Sequence, residues 1–248
     1  MIPSNYHTHT LFCDGKNSPE EMVRQAIRLG CPELGFSGHS YTFFDERYCM
    51  SREGTQEYIA TVRALQEKYR GEIKILLGVE QDYHSLAPTE GYDYVIGSVH
   101  YVKKDGCYLP VDESKEIQVE TVRKFYNGDF YGFVEDYFDA VADVYRKTRC
   151  QIVGHFDLIK KFNAAGDLFD PQHPRYQSAA NKALAALLDA PVTMEVNTGG
   201  IARGYLSEPY PAKDILSQWQ KAGKPVVFSS DCHNAEQLLF GYDEYFRQ

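Results

Sequence analysis

Residues 75–80 read Ile75-Leu76-Leu77-Gly78-Val79-Glu80, a short run of apolar or small residues closed by a carboxylate. A strand buried on both faces of a parallel sheet reads as such a continuous run, and in α/β barrels the functional groups stand where strands end and loops begin. The same arrangement recurs along the chain with histidine near the end of the run. His39 follows Leu34-Gly35-Phe36, His100 follows Tyr94-Val95-Ile96, His155 follows Ile152-Val153, and His233 follows Val226-Val227-Phe228. His7 and His9 come after the run from Met1 to Asn5. Six of the eight histidines are therefore gathered at strand ends, and Asp14, Glu80 and Asp231 occur in the same setting.

Between these runs the apolar period changes from two to three and four. Ser18-Pro19-Glu20-Glu21 carries a cap, a proline suited to the first helical position and a capping-box glutamate, ahead of Met22, Val23, Ala26, Ile27 and Leu29; Gly30 supplies the stop. Helical spacing recurs in Ile59, Val62, Leu65 and Tyr69, in Val134, Phe138, Val141 and Tyr145, in Ala179, Ala183, Leu184, Leu187 and Leu188, and in Ile215, Leu216 and Trp219. Strands are predicted near 3–7, 33–37, 73–79, 93–99, 151–154, 192–197 and 225–230, each separated by a crossover long enough for a parallel connection. The segment from about 102 to 150 is longer than one crossover needs and predicts two helices. Seven strands predict an α/β fold, a barrel short of eight, formed by residues 1–248 as one domain; such barrels commonly occupy roughly 200–250 residues. No Pro-, Gly- or Ser-rich linker divides the chain.

The net charge of −9 repels polyanions and argues against a broad nucleic-acid surface, while leaving room for a small anion held by cations. No window approaches the roughly 20 apolar residues that span a bilayer, and the first residues carry no basic region; the chain reads as cytosolic, with no membrane partner. Six cysteines, at 13, 31, 49, 107, 150 and 232, form no Cys-x-x-Cys pair and read as reduced thiols. Cys13 and Cys232 flank candidate ligands and offer thiolates as further ligands, but the reading preferred for both is small buried fillers.

His7-Thr8-His9 puts two imidazoles on one side of an extended strand end, because side chains alternate with period two. Asp231-Cys232-His233 repeats that spacing near the other end of the chain, and closure of a barrel would make the two neighbours. With Asp14, His39, Glu80, His100 and His155 the candidates number nine, and Glu80 is placed to bridge two cations. Mixed imidazole and carboxylate ligation suits two or three divalent Zn, Fe or Mn ions. Such sites bind phosphate oxygens and lower the pKa of bound water, which predicts hydrolysis of a phosphate ester. Asp82 and Asp157 are candidates to orient an imidazole, whereas His84 and His173 lie in polar loop segments and are expected to face solvent.

These residues carry a resemblance. His7-Thr8-His9, Gly38-His39, Gly78-Val79-Glu80, Gly97-Ser98-Val99-His100, Gly154-His155-Phe156-Asp157 and Ser230-Asp231-Cys232-His233 resemble, in order, the motifs of the PHP (polymerase and histidinol phosphatase) superfamily. The stretch from Glu195 to Tyr205, followed by Glu208-Pro209-Tyr210-Pro211, is similar to the late loop of its histidinol-phosphate phosphatase branch. The resemblance implies a distorted (β/α)7 TIM-like barrel with a trinuclear site and phosphatase activity on L-histidinol phosphate. One metal would take His7, His9, Glu80 and Asp231; a second would share Glu80 and add His100 and His155; a third would take Asp14, His39 and His233. Asp14 stands where many members carry histidine. Arg203 and Lys160 would hold the substrate phosphate, Arg203 by its forked donors and without effect on metal content. Attack would come from a metal-bound hydroxide, and no side chain is nominated as general acid. Two other activities share these features: a PHP-type phosphoesterase acting on another ester or a nucleic-acid end, and a metal-dependent amidohydrolase, which usually relies on a lysine bridge where this chain offers Glu80. A non-catalytic metal-binding domain is disfavoured by the completeness of the ligand set.

Overall fold

The computed structural model describes residues 4–245. Six parallel strands form one curled sheet in the order β1 (Glu33–Phe36), β2 (Lys74–Asp82), β3 (Tyr94–Ser98), β6 (Ile152–Val153), β7 (Thr193–Asn197) and β8 (Val226–Ser229). Helices α1 (Pro19–Arg28), α2 (Arg52–Lys68), α3 (Lys115–Phe125), α4 (Phe130–Thr148), α5 (Pro174–Leu188), α6 (Gly199–Ala202), α7 (Lys213–Lys221) and α8 (Tyr242–Tyr245) occupy the connections and the C-terminal end. This is an α/β half-barrel of one domain. Among the described residues no helix is long and apolar enough to cross a membrane.

The strand predicted at 3–7 is not a regular strand, and its residue 3 lies outside the described residues. Asn5 makes an isolated parallel bridge to Leu34 and Thr8 one to Cys232. Asn5 explains the interruption. Its side-chain oxygen accepts from the backbone of His7 at 3.1 Å, while its amide donates to Ser230 Oγ and Leu238 O, both at 2.8 Å. Side chain to backbone bonds of this kind compete with a regular ladder. The segment still spans the gap: Gly35 N donates to Asn5 O, Ser37 N to Thr8 O, and His9 N to Cys232 O, at 2.8, 3.0 and 2.9 Å. His7 and His9 are thereby seated between β1 and the turn after β8.

The capping box at Ser18 and Glu21 forms as read, and Gly30 takes a φ of 71° just past α1. The 102–150 segment holds α3 and α4 as predicted, but it begins with a hairpin absent from the sequence reading. Strands β4 (Tyr101–Lys104) and β5 (Cys107–Pro110) pair antiparallel around Asp105-Gly106, whose φ values are 49° and 80°. Asp-Gly in a two-residue turn with both φ positive is a strong local hairpin signal.

The interior of the barrel explains two strand glycines. A Cβ on Gly78 would lie 2.3 Å from the Tyr94 ring, and one on Gly35 would lie 2.4 Å from its hydroxyl. Glycine at both positions lets Tyr94 lie across the barrel floor, where its hydroxyl has two carbonyl acceptors within reach, Phe36 O at 2.8 Å and Tyr6 O. Ile96 and Ile152 complete this floor. Outside the sheet, Val134, Phe138 and Val141 of α4 and Leu184 and Leu187 of α5 are buried, each such side chain stabilising by about 1.5–3 kcal/mol. A packed floor leaves the rim at the strands' C-terminal ends as the place for chemistry.

Candidate metal centre

Glu80, the next-to-last but one residue of β2, stands at the centre of the rim and is 1% exposed. Its Oε1 faces His155 Nε2 at 2.9 Å and His100 Nε2 at 3.3 Å. Its Oε2 faces His39 Nδ1 at 2.9 Å, His7 Nε2 at 3.1 Å and His9 Nε2 at 3.5 Å. Asp231 Oδ1 approaches His9 Nε2 at 3.3 Å and His7 Nε2 at 3.5 Å. At the mouth, Asp14 lies 3.2 Å from His233 Nε2 and 3.7 Å from both His9 Nδ1 and His39 Nε2. All nine candidates converge.

Four of the nine, His7, His9, His39 and Glu80, belong to two groups of donor atoms each. The donor atoms cluster as His7, His9 and Asp231; as His7, Glu80 and His155; as His39, Glu80 and His100; and as His9, Asp14, His39 and His233. His39 thus faces Glu80 as well as Asp14, and His9 faces both the deep cluster and the mouth.

Local backbone places these groups. Asp231 adopts a φ of 48°, in the left-handed region that aspartate tolerates better than most residues, and such backbone clusters at functional sites. A Cβ on Gly15 would sit 2.4 Å from Thr10 N, so glycine there lets the Asp14 loop fold back onto His9. Cys13 Sγ is 3.5 Å from His9 Nδ1, while Cys232 is buried; burial pushes both thiols up to about 12, so they remain protonated fillers.

Charge in the cluster is strongly coupled. Burial opposes ionisation of Glu80, but His7, His39 and His100 outweigh it and hold the carboxyl well below its ordinary value. His9 is pushed down to about 3 by burial and by His233 and His39. Among the described residues the buried atoms His7 Nε2, His9 Nε2 and Glu80 Oε2 have no hydrogen-bond partner: they face other ligating groups without hydrogen-bonding geometry. Unpartnered buried polar atoms are costly, and divalent cations would satisfy all three. The residues present fit metal ions.

Around the cluster, Asp82 Oδ2 lies 3.3 Å from His100 Nδ1, an orienting contact of the kind expected. Asp157 does not take that role for His155; its Oδ2 accepts from Lys160 Nζ at 2.8 Å and from Ala212 N at 2.9 Å. His84 and His173 lie outside the cluster but are half-buried. His84 packs against Tyr83 and Tyr108, and His173 caps α5 and stacks on Tyr131 at 4.0 Å. The buried carboxylate missed in the sequence is Glu195, whose Oε1 lies 2.6 Å from His7 Nδ1.

A cavity of about 360 Å³ opens above the cluster. Arg203 lines it and is tied to Asp231, with Nη2 at 2.9 Å from Oδ2. Lys161 lines it too, held by Asp112 O at 2.7 Å and Asp112 Oδ2 at 3.1 Å. Lys160, expected to hold phosphate, instead pairs with Asp157 and lies 5.4 Å from the Tyr210 ring centroid. The far wall carries Asp45, Asp112 and Glu113, with Arg47 bridging Asp45 at 2.6 Å and Glu113 at 2.9 Å.

The sequence matches the PHP domain family over residues 5–199. This chain belongs to the PHP domain family. Among curated relatives, a probable histidinol-phosphatase of Deinococcus radiodurans is 30% identical over 253 residues, covering 98% of this chain and 90% of the relative. A histidinol-phosphatase of Bacillus subtilis is 25% identical and covers 98% and 97%. Among solved structures, hisK from Listeria monocytogenes superposes with a TM-score of 0.77 at 22% identity, covering 98% and 99% of the two chains. Histidinol phosphate phosphatase from Lactococcus lactis, solved with Zn, L-histidinol and phosphate, superposes with a TM-score of 0.69 at 21% identity, covering 94% of this chain and 87% of that one. At these identities the two structures establish the fold of the PHP chain.

Proposed function

We propose that this PHP-domain chain is a metal-dependent phosphomonoesterase acting on L-histidinol phosphate. The observation that carries the reading is Glu80: one buried carboxylate facing five imidazoles, with Asp231 and Asp14 alongside, beneath a cavity lined by Arg203. The names borne by the Deinococcus and Bacillus relatives support the substrate, as do the Zn, L-histidinol and phosphate of the Lactococcus structure.

His7, His9, Asp14, His39, Glu80, His100, His155, Asp231 and His233 would hold two or three divalent ions, of Zn, Fe or Mn type. Such ions supply Lewis acidity toward phosphate oxygens and make water nucleophilic near neutral pH. The chain's own groups do the rest. Arg203 presents a planar donor fork that matches phosphate, and Lys161 adds a second cation in the same cavity. Asp82 orients His100 through its Nδ1. On the far wall Asp45 and Glu113 outnumber Arg47, leaving one excess negative charge to face the substrate's ammonium group.

The test is phosphate release by protein loaded with Mn, Zn or Fe, from L-histidinol phosphate and from p-nitrophenyl phosphate. Turnover of both, with marked preference for the former and loss in His9→Ala or Asp231→Ala, is expected. Equal rates on all esters would remove the substrate while keeping the reaction, and turnover of neither would end the reading.

A further inference from the structure

We propose that Glu195 is the positioning residue of the metal centre, a single buried carboxylate that fixes the ring orientation and tautomer of His7 and ties the neighbouring strand ends together. The inference rests on reading His7, His155 and Asp231 as metal ligands.

Glu195 sits in β7 and is 1% exposed. Its Oε1 lies 2.6 Å from His7 Nδ1 and also accepts the hydroxyl of Ser229, from β8. Its Oε2 accepts the backbone N–H of His155 at 2.7 Å, just past β6, and the side-chain amide of Asn197 at 3.0 Å. The same Asn197 amide reaches Asp231 Oδ2 at 3.4 Å. One side chain therefore touches the N-terminal segment and the ends of β6 and β8, with a link through Asn197 to Asp231.

The partners define what the group at position 195 must be. Four donors converge on two oxygens, two on each, and an ionised carboxylate is acceptor-only with roughly four lone-pair directions. The N–H of His155 cannot become an acceptor. His7 is the partner whose ring can change role, and against a carboxylate it donates through Nδ1. Nε2 is then left with its lone pair toward Glu80 Oε2 and Asp231 Oδ1, at 3.1 and 3.5 Å. A ligating histidine held by a carboxylate on its other nitrogen is fixed in tautomer and is the more basic donor.

Glutamine at 195 keeps the shape but carries only one acceptor oxygen. With that oxygen kept for His155 N–H, the amide NH2 meets His7 Nδ1 and Ser229. His7 accommodates it by accepting at Nδ1, which moves its proton to Nε2 and blocks the nitrogen that faces the cluster.

Chelator competition for zinc by Glu195→Gln, checked for folding by circular dichroism, tests this. Affinity should fall roughly 10- to 100-fold against the parent chain, as loss of such orienting groups typically causes. Ser229→Ala, which keeps the carboxylate and removes one donor, should stay close to the parent. Long-range proton–nitrogen NMR of the zinc-loaded parent, with His7 assigned by its absence in His7→Asn, supplies a measurement that needs no change at 195. A proton on Nδ1 of His7 is expected; a proton on Nε2, or unchanged zinc affinity in folded Glu195→Gln, overturns the proposal. Neither measurement uses a phosphate ester, so absent phosphatase activity would end the proposed reaction and leave the role of Glu195 standing. A parent chain that binds no zinc would end both readings.

Discussion

Arg203 and Asp231 are joined at two points: Nη2 is 2.9 Å from the carboxylate oxygen Oδ2, and Nη1 is 3.0 Å from the backbone carbonyl. The other oxygen, Oδ1, faces His9 and His7. One end of Asp231 is thus held by the group expected to bind phosphate, and the other looks into the cluster. This contact predicts that phosphate recognition and metal retention are linked, whereas the sequence reading expects Arg203 to leave metal content unchanged. Arg203→Ala is expected to raise KM for a phosphate ester by roughly 10- to 100-fold, from loss of a charged hydrogen-bond partner worth about 1.5–3 kcal/mol. It should also lower bound metal per chain after gel filtration. Full metal content beside a raised KM would show that Asp231 needs no support from Arg203.

Gly199 tests the same contact from the other side. A Cβ there would come 2.7 Å from Arg203 Nη2, 2.9 Å from Asp231 Oδ2 and 3.0 Å from Asn197 Oδ1. The position opens α6, where alanine is the better helix former, so the fold itself loses little. Gly199→Ala is expected to keep the parent's melting temperature within a few degrees while binding metal at least about tenfold more weakly, the scale set by displaced orienting groups. Unchanged metal affinity would mean that both side chains shift without consequence.

The sequence made much of the rim legible because His39, Glu80, His100, His155, Asp231 and His233 close or follow runs that read as buried strands, and those runs did become β1, β2, β3, β6 and β8. Two things were harder to read. Asn5 looks like a strand end, yet its side chain takes the bonds of the backbone around it, a tertiary choice with no local signature. Glu195 lies within Thr193-Met194-Glu195-Val196-Asn197, where a carboxylate inside a buried strand was the available signal; it passed as the start of a loop motif. The hairpin at Asp105-Gly106 was readable from its turn alone.

Asp45 gives the far wall a pH dependence. Its hydrogen bonds from Arg47 outweigh partial burial and hold the carboxyl down to about 2 from 3.8. A depressed carboxyl contributes stability above its unfolded pKa, and that contribution fades as pH falls toward the folded value. With Arg47 largely exposed, solvent screening reduces the contribution to about 1–2 kcal/mol. Metal-free Asp45→Asn is expected to unfold at lower urea than the parent at pH 6, with the gap narrowing by roughly half at pH 3. A gap that stays constant across that range would assign the loss to packing instead of charge.

Lys160 and Lys161 are neighbours with opposite surroundings, and substitution separates them. Lys161 Nζ is anchored by Asp112 and lines the cavity, so its removal takes a cation from the phosphate's path and leaves Asp112 without its counter-charge. Lys161→Ala is expected to raise KM roughly 10- to 100-fold, the range for a lost charged hydrogen bond, with metal content near the parent's and a smaller drop in melting temperature than Lys160→Ala, because the Asp112 side chain is 27% exposed and solvent screens its charge. Lys160 Nζ neutralises Asp157, whose side chain is fully buried. Lys160→Ala strands that charge, and breaking a buried pair from one side typically costs about 3–5 kcal/mol. The cost is softened because Asp157 retains its bond from Ala212 N. A lowered melting temperature with KM little changed is therefore expected for Lys160→Ala. The reverse pattern, with KM raised by loss of Lys160 and not of Lys161, would return the phosphate contact to Lys160 and show that its pairing with Asp157 opens when substrate binds.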